Sequence, residues 1–278
     1  MQNKIVLITG ANRGIGKEVA FELAETGAKV YMACRSIDSA DSVRDEIIKK
    51  TKNENVFVKS LDLSSIQSIK NFAESFKKDE EKLDVLINNA GIMSKEKKLN
   101  DLGVEMTFAV NVLGHHYLIH QLVDLLKNAR PSRIINVASD YASGLDLDDI
   151  NFNRRPYDLT SAYKQSKQAN RMLTRQWAKY LENDNVYVYS MTPGFVPQTD
   201  LFREQSSGNK FFLNTFSLVG GRSVKKGADT IVWLATNEKF PLNNGGFFKD
   251  RKVVPCVFSN PENEQKLWDT CEQYLKRK

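Results

Sequence analysis

The spacing of apolar residues along the chain changes period again and again. Short runs rich in β-branched and aliphatic residues read as buried strands: Lys4–Thr9, Lys29–Ala33, Val56–Ser60, Val85–Asn88, Arg133–Ala138 and Val186–Thr192. Between them, apolar residues recur every three or four positions, as Val19, Ala20, Leu23 and Ala24 do after Ile15. Gly27 is placed to end that first helix. Further helices are expected at about 39–51, 102–127, 161–182 and 227–236, with Ser64–Gln67 forming a capping box that opens another. Strands alternating with helices predict the α/β class: a single Rossmann-type, doubly wound parallel sheet with helices on both faces. After Pro193–Gly194 the rhythm lapses, and residues 195–226 read as an insertion rich in Ser, Gly, Phe and Asn. A last strand is expected at Gly246–Lys249, then a tail helix with Leu267, Trp268, Cys271 and Leu275 on one face. With no low-complexity linker and no repeat, residues 1–278 read as one domain.

Composition narrows the class. Hydrophobic residues make up 41% of the 278, enough for a sizeable core, which excludes wholesale disorder. The net charge of +6 is spread along the chain and not gathered in a stripe, so nucleic acid is not an expected partner. The three cysteines, Cys34, Cys256 and Cys271, form neither a CxxC pair nor a Cys/His ligand set, which fits free thiols in a reducing compartment. No apolar run approaches the ~20 residues that span a bilayer, and the first strand begins almost at once, so a cytoplasmic protein without a transmembrane segment is expected.

The chemistry begins at the end of the first strand, in Thr9-Gly10-Ala11-Asn12-Arg13-Gly14-Ile15-Gly16. Glycines allow a tight turn and a close backbone approach, and the helix that follows offers free N–H groups to a pyrophosphate. Dinucleotide sites selective for NAD place Asp or Glu at the end of the second strand to hold the ribose hydroxyls. Here that place holds Cys34, and Arg35 follows. An arginine can grip a 2′-phosphate that a carboxylate would repel, and Arg13 can reach the same group, so NADP(H) is expected over NAD(H).

Tyr163 and Lys167 are four residues apart on a predicted helix and so share a face. A nearby ammonium favours a phenolate, and lowering the phenol's pKa would suit it to general acid/base work. Ser139 lies just past the C-terminal end of the strand Arg133–Ala138, the edge at which open parallel sheets bind ligands. Its hydroxyl could hydrogen-bond a substrate oxygen there.

Together these pieces resemble the classical short-chain dehydrogenase/reductase family. The matching text is TGANRGIG at Thr9–Gly16, Asp62–Leu63, Asn88-Asn89-Ala90-Gly91, Asn111, Ser139, YKQSK at Tyr163–Lys167 and PGFVPQT from Pro193. The resemblance implies Tyr163 as catalytic acid/base and Lys167 as holder of the nicotinamide ribose that lowers the pKa of Tyr163. It implies Ser139 as the group that orients the substrate oxygen and Asn111 as holder of a relay water. Gly10, Asn12, Arg13, Gly14, Ile15 and Gly16 would cradle the phosphates, Asp62 and Leu63 border the adenine, and Asn88, Ala90 and Gly91 line the adenosine side. Pro193, Gly194, Val196 and Thr199 would meet the nicotinamide. Within the family the chain is most similar to the retinol dehydrogenase branch, through AKVYMACRS, VNVLGHHYLIHQL and GGFFKDRK. The family is commonly dimeric, so a homodimer is also implied.

Phe202, Phe211, Phe212 and Phe216 in the insertion suggest an apolar carbonyl or alcohol substrate, retinoid, aldehyde, steroid or aromatic ketone; packing of the insertion explains them equally well. His115, His116 and His120 cluster on one helix, but no acidic neighbour in sequence completes a ligand set, so packing roles and no metal are expected. The competing reading is a non-catalytic NADP(H)-binding sensor or scaffold, for which loss of Tyr163 or Lys167 would have been the sign; both are present.

Overall fold

The computed structural model describes residues 1–197, 221–238 and 243–276. Six parallel strands follow the predicted runs: β1 (Ile5–Thr9), β2 (Lys29–Cys34), β3 (Val56–Ser60), β4 (Val85–Asn88), β5 (Ser132–Val137) and β6 (Val186–Met191). β7 (Phe247–Lys249) continues the parallel set, and β8 (Lys252–Val254) turns back antiparallel on β7. The order across the sheet is β3-β2-β1-β4-β5-β6-β7-β8. Because helices cover both faces, β1 and β4 are buried at every position, which is why their sequences run mostly apolar without alternating.

Two apolar layers hold the helices. On one face α1 (Gly14–Glu25), α2 (Ile37–Thr51) and α7 (Val224–Thr236) pack Val19, Leu23, Ile47, Ile231 and Leu234 against the sheet. On the other, α3 (Ile66–Asp79), α5 (Gly114–Ala129), α6 (Leu159–Tyr180) and α8 (Pro261–Leu275) contribute Phe72, Phe76, Leu122, Trp177 and Leu267. Side chains of this size each contribute about 2–3 kcal/mol when fully buried. The cap of α3 is Ser65, which accepts from the N–H of Ser68, one residue past the Ser64 of the expected capping box, and Gln67 bonds to Asn71 instead; at the start of α6, Asp158 accepts from the N–H of Ser161.

Two elements depart from expectation. The helix predicted over 102–127 begins only at Met106, with a short turn α4 (Met106–Phe108), passes through a π-helical turn at Ala109–Leu113, and then runs on as α5. Strand β8, which the pattern did not show, is three residues long and carries too little periodicity to be read. Most of the insertion expected at 195–226, with Thr199 and the four phenylalanines, lies outside the described residues. Among the described residues no helix is long and apolar enough to cross a membrane.

Candidate active site

The strand order reverses direction between β1 and β4, and the crevice past their C-terminal ends is where such sheets bind ligands. A cleft of about 1000 Å³ opens there, lined by the glycine turn, the ends of β2, β4 and β5, Tyr163, Lys167 and Pro193–Val196. A second groove of about 1090 Å³ between α6 and α8 is lined by charged side chains and contains none of these residues.

The glycine turn is built for close approach. Gly10 (φ +65°) and Gly14 (φ +52°) adopt left-handed backbone, and a Cβ on Gly16 would run into the carbonyl of Gly10. Thr9 ties this turn to the next wall, its Oγ1 accepting from the N–H groups of Asn89 and Ala90, each at 3.0 Å. At the end of β2, Cys34 is buried, and burial pushes its thiol up to about 11 against the backbone N–H groups of Ala11 and Asn12. Arg35 and Arg13 are exposed at this rim, and no carboxylate stands at the end of β2. Asp62 and Leu63 line the same end, with Asp62 Oδ1 accepting from Ser64.

Within the Asn88–Gly91 segment the cleft receives Asn89, Ala90 and Gly91 but not Asn88. Asn88 points under the sheet and donates to Asn136 Oδ1 at 2.8 Å, while Asn89 Nδ2 donates to the carbonyls of Thr9 and Gly10. Of the residues expected on the adenosine side, Ala90 and Gly91 line the cleft and Asn88 does not: at a strand end, successive side chains face opposite ways, and Asn89 takes the open side.

Ser139, Tyr163 and Lys167 meet at the other end. Tyr163 and Ser139 both line the cleft there, Ser139 Oγ accepts from the Tyr141 N–H at 3.0 Å, and Lys167 donates to the Val137 carbonyl at 2.8 Å. Lys167 Nζ lies 5.5 Å from the centre of the Tyr163 ring. Burial pushes the Tyr163 phenol up to about 12, opposed by the Ser139 hydrogen bond, and holds the Lys167 ammonium down at about 8. Desolvation is the larger effect on the phenol, while the Lys167 ammonium is held by the Val137 carbonyl beside the Tyr163 ring. Asn111 stands one layer back. Its amide donates to Ile92 O and Ser166 Oγ and accepts from Ile92 N–H, bracing the segment after Gly91. Gly91 separates it from the cleft, since a Cβ there would lie 3.4 Å from Asn111 Oδ1 and 3.7 Å from Lys167 Nζ.

The histidines have an acidic partner that sequence distance concealed. Glu272 on α8 lies 2.9 Å from His116 Nε2 and 2.7 Å from His120 Nε2. The three could hold an ion, yet Trp177 decides against it. Its indole N–H donates to His116 Nδ1 at 3.1 Å, and indole only donates, so the ring proton sits on Nε2 and is given to Glu272. A metal on Nε2 would force that proton onto the side already facing a donor. The cluster therefore pins α8 onto α5 and α6. The third histidine, His115, is fully buried and bonded to Thr9 Oγ1 at 3.0 Å.

Comparison with known proteins agrees with this geometry. Residues 4–210 match the family model for short chain dehydrogenase. The chain is 39% identical over 277 residues to human (Homo sapiens) retinol dehydrogenase 11, covering 97% of this chain and 85% of that protein. It is 36% identical to retinol dehydrogenase 13 of Mus musculus, covering 95% of this chain and 81% of that protein. Among solved structures, an uncharacterized protein from Mycobacterium Paratuberculosis superposes with a TM-score of 0.78 at 27% identity, covering 99% of this chain and 94% of that one. A metagenomic short-chain oxidoreductase in complex with NADP gives a TM-score of 0.64 at 25% identity, over 86% of this chain and 95% of that one. The sheet, the glycine turn and the Ser139–Tyr163–Lys167 cluster are thus those of a member of the short-chain dehydrogenase family, to which this chain belongs.

Proposed function

We propose that the protein is an NADP(H)-dependent oxidoreductase that moves a hydride between the nicotinamide and an apolar carbonyl or alcohol. The observation that carries this reading is the gathering of Ser139, Tyr163 and Lys167 at the end of a cleft whose other end is a glycine cradle. Gly10–Gly16 would hold the pyrophosphate, and Arg35 and Arg13 the 2′-phosphate, with no carboxylate at the end of β2 to oppose it. The bound nicotinamide supplies or accepts the hydride.

The residues of the chain then manage the oxygen. Ser139 and Tyr163 hold the substrate carbonyl through their hydroxyls. As hydride reaches the carbon, the O–H bond of Tyr163 breaks and its proton passes to the new alkoxide oxygen. A phenol kept protonated at neutral pH is in the right form for that step. Lys167, anchored on Val137, stabilises the phenolate left behind, and Asn111 holds the Ile92 strip against the same corner. At neutral pH the free enzyme therefore holds its acid in the form that reduction of a carbonyl requires. Human (Homo sapiens) and Mus musculus relatives named retinol dehydrogenase support an apolar aldehyde such as retinal as substrate.

The test is NADPH oxidation against retinal, medium-chain aldehydes, steroids and aromatic ketones, with NADH and Tyr163→Phe alongside. Turnover with NADPH that disappears in Tyr163→Phe is expected. NADPH binding without turnover of any carbonyl would favour the sensor reading, and equal use of NADH would refute the assignment of Arg35 and Arg13.

A further inference from the structure

Three consecutive residues at the tip of the β7–β8 hairpin each pair with a different piece of chain around the Ser139 end of the cleft. Lys249 Nζ lies 3.0 Å from Asp140 Oδ2, on the residue after Ser139. Asp250 accepts both arms of the Arg222 guanidinium, at 2.5 and 2.9 Å. Arg251 holds Asp229 on α7 through Nε at 2.9 Å and Nη2 at 2.5 Å. The turn has only two residues between its strands, and both are left-handed, Asp250 at φ +50° and Arg251 at φ +62°. Such turns favour Asn-Gly or Asp-Gly. A bulky arginine there carries a conformational cost, and it is accepted at a tip where each side chain makes an ion pair.

The middle pair reaches the cleft wall. The backbone N–H of Arg222 donates to the carbonyl of Phe195 at 2.8 Å. Its side chain lies flat on Gly194, where a Cβ would come within 2.7 Å of Nε and 2.8 Å of Cδ. Gly194 itself is left-handed, at φ +72°. Thr192 Oγ1 accepts from the N–H groups of both Gly194 and Asp140 at 3.1 Å, so the segment under Arg222 is tied directly to the Ser139 segment. Gly194, Phe195 and Asp140 line the cleft; Arg222 and Asp250 do not.

We propose that Arg222 and Asp250 are positioning residues. Their ion pair presses the arginine stem onto Gly194 and sets the Pro193–Val196 backbone relative to Ser139 and Tyr163. The proposal rests on reading this cleft as the nicotinamide site. Asp250 acts through Arg222, and Arg222 acts through the backbone of Gly194 and Phe195. The bidentate fork matters because a single point charge would not fix the plane of the guanidinium against the glycine.

Asp250→Asn keeps the shape of the side chain and its tolerance of left-handed backbone but removes the charge. Arg222→Lys keeps the charge but not the fork. Each is expected to weaken NADPH binding, read by nucleotide fluorescence, and to lower kcat/KM by about tenfold, the scale of one charge-assisted contact. The double variant is expected to be no worse than the poorer single one, because both remove the same contact. Asp229→Asn unpairs Arg251 from the same turn and is expected to leave NADPH binding unchanged. Damage from Asp229→Asn equal to that from Asp250→Asn would mean that hairpin stability alone is being read, and the positioning role would fall. Additive single effects, or unchanged binding in Asp250→Asn, would overturn it as well. Binding needs no turnover, so a parent that binds NADPH but reduces no carbonyl still decides this proposal. A parent that binds no dinucleotide overturns both this proposal and the reading beneath it.

Discussion

Lys167 is the clearest case of stability given up at the site. Its ammonium is 4% exposed and faces one carbonyl, that of Val137. Burial brings its pKa from the ordinary 10.5 to about 8, and a tenfold change in acidity corresponds to about 1.4 kcal/mol. Holding the charged form inside the cleft at pH 7 therefore costs about 3 kcal/mol. Lys167→Met removes the charge while keeping most of the volume. It also leaves the Val137 carbonyl without this donor, a loss of about 1 kcal/mol. The variant should be more stable than the parent by about 2 kcal/mol at pH 7 while being inactive. The folded lysine binds its proton more weakly than the unfolded one, so the penalty is complete below pH 8 and fades as pH rises toward 10.5. At pH 10 less than about 1 kcal/mol of it remains, and the variant's advantage should vanish. Urea unfolding of both proteins without nucleotide, at pH 7 and pH 10, measures this, with equal m-values as the control for compactness. A variant no more stable than the parent at pH 7, or an advantage that does not narrow by pH 10, would refute the argument that burial alone sets the state of Lys167.

Three further outcomes follow from the same site and its surroundings. The reduction rate should stay level up to about pH 7.5 and fall above pH 8 as Lys167 loses its proton, while alcohol oxidation, which needs the phenolate, should rise with pH; profiles of kcat/KM in both directions test this. Cys34→Asp puts a carboxylate before the N–H groups of Ala11 and Asn12 and should weaken NADPH on the order of 100-fold while improving NADH, since a like charge within about 5 Å costs about 3 kcal/mol at an effective dielectric of 20; KM for each cofactor is the measurement, and unchanged preference would place the 2′-phosphate elsewhere. His116 is held down at about 4 by burial, against the Glu272 hydrogen bond, so on acidification the unfolded chain takes up a proton first and stability is lost as pH falls from 6.5 to 4; His116→Gln should remove about 2 kcal/mol of the difference in unfolding free energy between pH 7 and pH 5.

The order of elements, the glycine turn and the Tyr163–Lys167 spacing were legible because each is written in neighbouring residues. A strand run, a φ-positive glycine or an i, i+4 pair needs no knowledge of what lies across the molecule. The short chain dehydrogenase family could be recognised from those local pieces in the right order. What the tertiary structure decided are matters of facing and burial. Which of Asn88 and Asn89 reaches the cleft depends on the orientation of one strand end. Where Lys167 holds its ammonium depends on which acceptor the fold brings to it, and that acceptor is the Val137 carbonyl, 30 residues away in the chain. Glu272 is 156 residues from His116 in the chain, and only the packing of α8 brings them together; only the depth of Trp177 in the core then determines which ring nitrogen carries the proton. The ion pairs of Lys249, Asp250 and Arg251 join the β7–β8 hairpin to segments 22 to 109 residues away, beyond the reach of any periodicity. Local sequence sets which conformations a segment can adopt, whereas desolvation and long-range partners exist only once the chain has folded around them.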